Sequence, residues 1–291
     1  SNLKEYKEKV ESYGLALDMV QLPLSSADLD TRAKSGEFYN ILTGKSPERD
    51  IEIERICELI QMCSDAEIPA VKYNLNIIGI PRTDSELGRG GTKLSTFRWD
   101  SADKNAPETI AGKVSEDVFW ERIEYFLDKV VPVAEENKVR LACHPHDPYT
   151  PPGFKGVTRV LGTVDGLKKF ISIKENEFHG LNFCQGTITE MMENPGEEIF
   201  DVIRHFGKKN KIFNVHFRNI RGNKLSFTEV FPDEGSINMY EAIKVYKEVN
   251  YQYMLMPDHV PQINAKDPKM TAFAYCYGYI NALLQTINEI Y

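Results

Sequence analysis

Strand-like and helix-like segments alternate along this chain from end to end, and that alternation limits the folds open to it. Short apolar runs, each followed further along by a segment with helical periodicity, lie at 15–24, 70–77, 139–147, 181–187, 211–220 and 251–260. Strands that are joined through helices usually lie parallel in one sheet. Their apolar character indicates a sheet that is covered on both faces. The sequence therefore predicts an α/β protein with a parallel sheet.

Four potential metal ligands lie near the ends of four of these runs. They are His144 in HPHDP, Cys184 in NFCQG, His216 in VHFRN and Asp258 in MPDHV. In a barrel of parallel strands the functional loops leave the carboxyl ends of the strands, so such residues would meet at one mouth. A doubly wound open sheet does not require that placement. We therefore predict a TIM (β/α)8-type barrel.

With a short extended piece at 225–231, the chain has about seven predicted strands. That number is one short of a closed barrel of eight. We expect the first strand and helix to have been removed, to be disordered or to be absent from this variant. We expect residues 1–291 to form one barrel domain. The polar, glycine-rich segment 78–114 is too long for an ordinary connection, and is either a lid over the strand ends or a disordered surface insertion.

The composition argues against several classes of protein. A net charge of −8 disfavours a nucleic-acid partner, which would normally meet a basic face. No apolar run reaches the roughly 20 residues that cross a bilayer, and the start does not resemble a signal peptide. Five cysteines without a paired spacing fit a reducing compartment. A cytoplasmic protein without a membrane partner is predicted.

The four ligand candidates offer a thiolate, a carboxylate and two imidazoles. This donor set suits a divalent ion of the zinc, manganese or iron type far better than calcium or magnesium. Each residue alone has an ordinary alternative, since His144 and Asp258 could be helix caps and Cys184 could fill the core. Their shared position at strand ends favours joint binding of one cation.

Other polar residues cluster near the same strand ends. His259 follows Asp258 and is a candidate acid or base, because imidazole titrates near neutrality. Arg218 lies two residues after His216, on the same side of an extended strand, where it could hold a substrate carboxylate or form a salt bridge to a neighbouring strand. Substrate contacts are predicted for Asn74, Arg82, His146 and Arg159, and supporting contacts for Tyr73 and Asp147.

The motifs quoted above, together with GVTRV at 156–160 and EGSINMYEAI at 234–243, resemble those of mannonate dehydratases. The resemblance runs from about residue 8 to about residue 285. It implies a barrel related to that of xylose isomerase, preceded in family members by a further strand and helix. It also implies a hydro-lyase that converts D-mannonate to 2-keto-3-deoxy-D-gluconate in hexuronate breakdown, with the four ligand candidates binding a metal.

The same resemblance implies Mn²⁺ as the usual cofactor, with Zn²⁺, Fe²⁺ or Co²⁺ as alternatives, a small sugar acid as the partner and association into homo-oligomers. It places His259 and Arg218 near the reacting carbons, and we interpret His259 as the base. Departures affect the loops that select the substrate. His146 stands where the family has an acidic residue, Pro232 where it has a histidine and Val260 where it has a glycine.

These departures keep two further hypotheses open. The protein could isomerise or epimerise a sugar with the same metal, and Arg218 would then lack its substrate carboxylate. It could also be a barrel that binds a sugar acid without turning it over. Formation of a 2-keto-3-deoxy acid from D-mannonate would separate the lyase from both.

Overall fold

The computed structural model describes residues 2–290, and over that range strands and helices alternate as predicted. The helices are α1 (Leu3–Glu11), α2 (Leu29–Ser35), α3 (Asn40–Thr43), α4 (Glu48–Asp65), α5 (Glu116–Asn137), α6 (Val164–Ser172), α7 (Gln185–Thr189), α8 (Pro195–Lys208), α9 (Met239–Glu248) and α10 (Pro268–Ile290). The strands are β1 (Val20–Gln21), β2 (Ala70–Asn74), β3 (Glu86–Leu87), β4 (Lys93–Leu94), β5 (Thr96–Arg98), β6 (Arg140–His144), β7 (His179–Cys184), β8 (Ile212–His216), β9 (Asn219–Asn223), β10 (Ser226–Val230) and β11 (Leu255–Met256). None of the helices within residues 2–290 combines the length and apolarity needed to cross a membrane.

Six strands form one parallel sheet in the order β1-β2-β6-β7-β8-β11. Helices cover its outer face: Tyr73 of β2 packs on Phe126 of α5 with ring centroids 5.7 Å apart, and Phe183 of β7 packs on Phe206 of α8 at 6.1 Å. This is the predicted TIM-type architecture, with six barrel strands in the described part of the chain.

The extended piece predicted at 225–231 is β10, but it does not belong to the barrel wall. It pairs antiparallel with β5 and β9 in a separate three-stranded sheet. The segment 78–114 contributes β3, β4 and β5, so part of it is tied to β10 by backbone hydrogen bonds. Its role as a lid stays a prediction.

Local sequence explains the helix that leads into β6. Ser115 caps α5, since its side chain accepts a hydrogen bond from the Val118 N–H at 3.4 Å. The negative charge of Glu116, in the first turn, interacts favourably with the positive end of the helix dipole. The buried stripe that includes Phe119, Ile123, Phe126 and Leu127 holds α5 against the sheet. The chain then returns as β6, which ends at His144.

Alternation along the strands decides which side chains face the barrel interior. Because Tyr73 and Phe183 point outward to helices, their neighbours Asn74 and Cys184 point inward. The register pairs Asn74 with His144 and Cys184 with His216, and each of these inward residues is the last of its strand, so they gather at the carboxyl ends of four strands.

Candidate functional site

The four predicted metal ligands lie together at the carboxyl ends of the sheet. His144, Cys184 and His216 are the last residues of β6, β7 and β8, and Asp258 follows β11 by two residues. One ligand atom of each lies within 4.8 Å of those of the others. The first three side chains are buried and Asp258 is partly buried. We call this set the ligand cluster.

Contacts inside the ligand cluster orient its donor atoms. The Nδ1 atom of His144 is 2.7 Å from the carbonyl oxygen of Pro145, which can only accept, so this nitrogen carries the hydrogen and Nε2 keeps its lone pair. The His216 Nδ1 atom lies 3.1 Å from Asp258 Oδ2. Asp258 has a left-handed backbone conformation with φ of 66°, which aspartate tolerates better than most residues.

The electrostatic surroundings favour the ligand forms of these side chains. Burial lowers the pKa of His144 to about 4, so the imidazole is neutral near pH 7. Burial alone would raise the pKa of Cys184, but Arg218 and His216 outweigh it and lower the pKa to about 7. A neutral imidazole and a readily formed thiolate are the forms that bind a cation. The donor set therefore fits a divalent transition-metal ion.

A second group of charges lies next to the ligand cluster. It contains Asp147, Glu229 and His259, with one ligand atom of each within 4.8 Å of the others. Arg82 Nη2 is 2.7 Å from Asp147 Oδ1, and Arg218 Nη1 is 3.2 Å from Glu229 Oε2. Arg82 also forms an ion pair with Glu229. Because two guanidinium groups already balance the two carboxylates, this group does not require a cation.

His259 is the member of that group best placed to react. Its side chain is 46% exposed, and its Nδ1 atom is 2.8 Å from Glu229 Oε2. Burial and Arg218 each lower the pKa of His259, but the attraction of Glu229 and Asp258 outweighs them, and the net pKa is raised. Glu229 orients one ring nitrogen, and the other, Nε2, lies 3.5 Å from Asp258 Oδ2 at the edge of the ligand cluster, where it is placed for proton transfer.

Arg218 lies between the two groups and is almost fully buried. Its Nη2 atom is 3.1 Å from both Cys184 Sγ and Thr187 Oγ1, and 3.3 Å from Asp147 Oδ2. The guanidinium therefore already stabilises the thiolate and two neighbouring carboxylates, which is the salt-bridge alternative weighed from the sequence. Its contact with a substrate carboxylate stays a prediction.

A cavity of about 210 Å³ opens beside these groups. Arg82, Arg218, Glu229 and His259 line it on one side, and Pro257 and residues 260–262 border it. This volume is large enough for a small polar ligand.

Two predicted substrate residues lie elsewhere in the structure. His146 stacks on Phe119 with ring centroids 5.1 Å apart, and its Nδ1 atom accepts a hydrogen bond from the Leu161 N–H at 3.2 Å. Arg159 donates to the carbonyl oxygens of Asp147 and Pro148, at 2.8 Å each, and of Gly79 at 2.9 Å. Neither lines the cavity as defined by the described residues. The geometry favours support of the loops over substrate contact for both.

The remaining predicted residues occupy mixed positions. Arg82 lines the cavity, and Asp147 holds both arginines, as a supporting residue would. Asn74 faces the interior and donates to the carbonyl oxygen of Leu24 at 3.3 Å. Tyr73 points away from the ligand cluster, because it lies on the outer face of β2 against α5.

Glu229 is the functional residue that sequence reasoning missed. It lies on β10, which is outside the barrel sheet, and it contacts Arg82, Arg218 and His259. The available signal was a lone acidic residue in the run SFTEVF, where a buried strand would otherwise be apolar.

Comparison with known proteins identifies the family. The model of the D-mannonate dehydratase (UxuA) family matches residues 108–290. The chain belongs to this family. All four residues of the ligand cluster, and Glu229 and His259, lie within the matched range.

Relatives extend the similarity beyond that range. The mannonate dehydratase of Streptococcus uberis is 28% identical over 284 residues, and that of Thermotoga petrophila is 28% identical over 293 residues. Each alignment covers 88% of this chain and 76% of the relative. A mannonate dehydratase of Endomicrobium trichonymphae is 36% identical over 150 residues, 50% of this chain and 39% of that relative. The crystal structure of mannonate dehydratase from Streptococcus suis serotype 2 matches with a TM-score of 0.81 and 26% identity, over 97% of this chain and 79% of the other.

A D-tagatose 3-epimerase-like protein matches at a TM-score of 0.59 with 17% identity, which indicates a shared fold alone. The predicted TIM-type fold and hydro-lyase class are thus confirmed for this D-mannonate dehydratase family member.

Proposed function

We propose that the protein removes water from D-mannonate to give 2-keto-3-deoxy-D-gluconate, with a divalent metal ion held by His144, Cys184, His216 and Asp258. The observation that carries this proposal is the convergence of the four ligand atoms within 4.8 Å beside a polar cavity, in a chain of this family. When bound, the ion supplies Lewis acidity that polarises the carboxylate and 2-hydroxyl of a sugar acid. Manganese is the proposed ion, with zinc, iron and cobalt as alternatives that share these donors.

His259 is the proposed base. Its Nδ1–H donates to Glu229 at 2.8 Å, so the lone pair of Nε2 is available to take the proton from C2 of the substrate. The electron pair of that C–H bond forms the C2–C3 double bond as the C3–O bond breaks. The 3-hydroxyl takes up a proton from solvent and leaves as water, and the enol product rearranges to the 2-keto acid.

Arg82 and Arg218 give the cavity a cationic wall that suits an anionic substrate. Asp147 bridges them, at 2.7 Å from Arg82 Nη2 and 3.3 Å from Arg218 Nη2, and so restricts their motion. We assign to these arginines the orientation of the substrate carboxylate relative to His259.

The ligand role of Cys184 also bears on location. All five cysteines are free, and Cys184 must stay a thiol to bind a metal. A reducing compartment meets that need, and we propose the cytoplasm.

Incubation of the manganese-loaded protein with D-mannonate, followed by an assay for 2-keto-3-deoxy acids, tests the proposal. We expect keto acid from the loaded protein and none after chelation of the metal. A loaded protein that leaves D-mannonate unchanged but interconverts a neutral ketose would instead support an epimerase. Elemental analysis of the same preparation shows whether the ligand cluster was filled.

A further inference from the structure

The interior of the barrel has a second layer directly beneath the ligand cluster. Along each strand the residue two positions earlier faces the same side, one layer deeper. Below Asn74 and three of the ligand residues these are Lys72, Ala142, Asn182 and Asn214, here called the floor layer. Such layers in TIM barrels are usually filled by bulky branched side chains, whereas this one contains a lysine and two amides.

The two asparagines of the floor layer are tied to the site above them. The Nδ2 atom of Asn214 donates to Asn182 Oδ1 at 2.6 Å, and the Asn182 amide lies 3.1 Å from His216 Nε2. Asn182 and Asn214 thus brace a metal ligand from below. This part of the layer has a structural role that contacts alone explain.

Lys72 has no such bond. It is partly buried on β2, and its register partner on β6 is Ala142. Within the described residues, no hydrogen bond or ion pair satisfies its ammonium group. Burial lowers the pKa of Lys72, and the attraction of Asp258 and Cys184 opposes that effect. A buried ammonium is costly unless negative charge lies near it.

We propose that Lys72 is the counter-cation of the ligand cluster: its ammonium, one layer beneath the ligands, offsets the negative charges of Cys184 and Asp258 and weakens the binding of a divalent cation. This inference rests on the proposed metal site. With the ion bound, the two anionic ligands cancel its charge, and Lys72 leaves one positive charge in the site. That excess favours an anionic sugar acid over a neutral sugar.

The test is the affinity of the ligand cluster for Mn²⁺ and Zn²⁺, measured by competition with a chromophoric chelator. Lys72→Met keeps the length and volume of the side chain and removes the charge, and we expect it to bind both ions about tenfold more tightly. Lys72→Arg keeps the charge and should remain near the wild-type affinity. Lys129→Met, on the exposed face of α5, is the matched control and should leave affinity unchanged.

The outcomes separate the two proposals. Equal or weaker binding by a folded Lys72→Met variant, checked by circular dichroism, would refute the counter-cation role while leaving the metal site intact. Tighter binding by Lys72→Arg as well would show that side-chain shape, and not charge, is responsible. A wild-type protein that binds neither ion would refute the metal site and this role of Lys72 with it.

Discussion

Replacing Glu229 with glutamine tests how much of the site depends on one buried charge. The carboxylate accepts from Arg82 Nε at 3.0 Å, and it lies 3.2 Å from Arg218 Nη1 and 2.8 Å from His259 Nδ1. Its side chain is 8% exposed, so water screens these contacts little. Glutamine keeps the shape of the side chain and removes its charge. Because no cavity is created, the change in the free energy of unfolding reports the loss of charge.

Two estimates of the cost agree. Burial alone would raise the pKa of Glu229, but the two arginines and His259 lower it from 4.5 to about 2. At about 1.4 kcal/mol per pKa unit, this shift corresponds to about 3 kcal/mol of stability at neutral pH. Removing one partner of a buried ion pair costs roughly 3–5 kcal/mol. We therefore expect Glu229→Gln to lower the free energy of unfolding by about 3 kcal/mol.

Urea denaturation at pH 7 measures that free energy, and Glu234→Gln is the control. Glu234 lies 3.3 Å from Arg89 Nε at the surface, where loss of an ion pair costs about 1 kcal/mol or less. Because the pKa of Glu229 is depressed, its contribution is full above about pH 4.5 and is lost as the pH falls towards 2. The gap between wild type and Glu229→Gln should narrow near pH 3. A loss no larger than that of Glu234→Gln, or one that does not change with pH, would refute the reasoning.

Three further predictions concern the site. Cys184→Ser should weaken metal retention by about 100-fold or more, because serine does not ionise near neutrality. The control Cys63→Ser should retain metal like the wild type, and elemental analysis after dialysis compares the metal content of the two variants. His259→Gln should lower turnover of D-mannonate by about 100-fold or more while metal content stays at the wild-type level, and equal loss of both would argue against a role as base. Arg159→Met should leave three buried carbonyl oxygens without their donor and cost about 3 kcal/mol or more in urea denaturation; unchanged stability with a raised KM would restore its predicted substrate contact.

Local sequence was sufficient for the ligand cluster because every step to it is local. Each ligand candidate ends or closely follows an apolar run, and parallel strands bring their carboxyl ends to one side of the barrel. Period-two alternation then turns His144, Cys184 and His216 inward. No long-range contact had to be known beyond the parallel order of the strands.

The inward and outward alternation of side chains holds only within a strand. His146 and Arg159 lie beyond the end of β6, so alternation could not predict where their side chains point. His146 follows the turn at Pro145 and points into the packing under α5. Arg159 lies in a loop, and nothing in its neighbours indicates that the carbonyl oxygens of Gly79 and Pro148 surround it.

What the sequence by itself determined is the chemistry of the donors and the strand ends that carry them, since residue type and short-range periodicity encode both. Only the tertiary structure decided which charges surround those donors. Glu229 reaches His259 because β10 pairs with β5, more than a hundred residues earlier, and Lys72 lies near Cys184 because β6 pairs with both β2 and β7. Pairing between distant segments is fixed by the packing of the whole fold, and no local pattern specifies it.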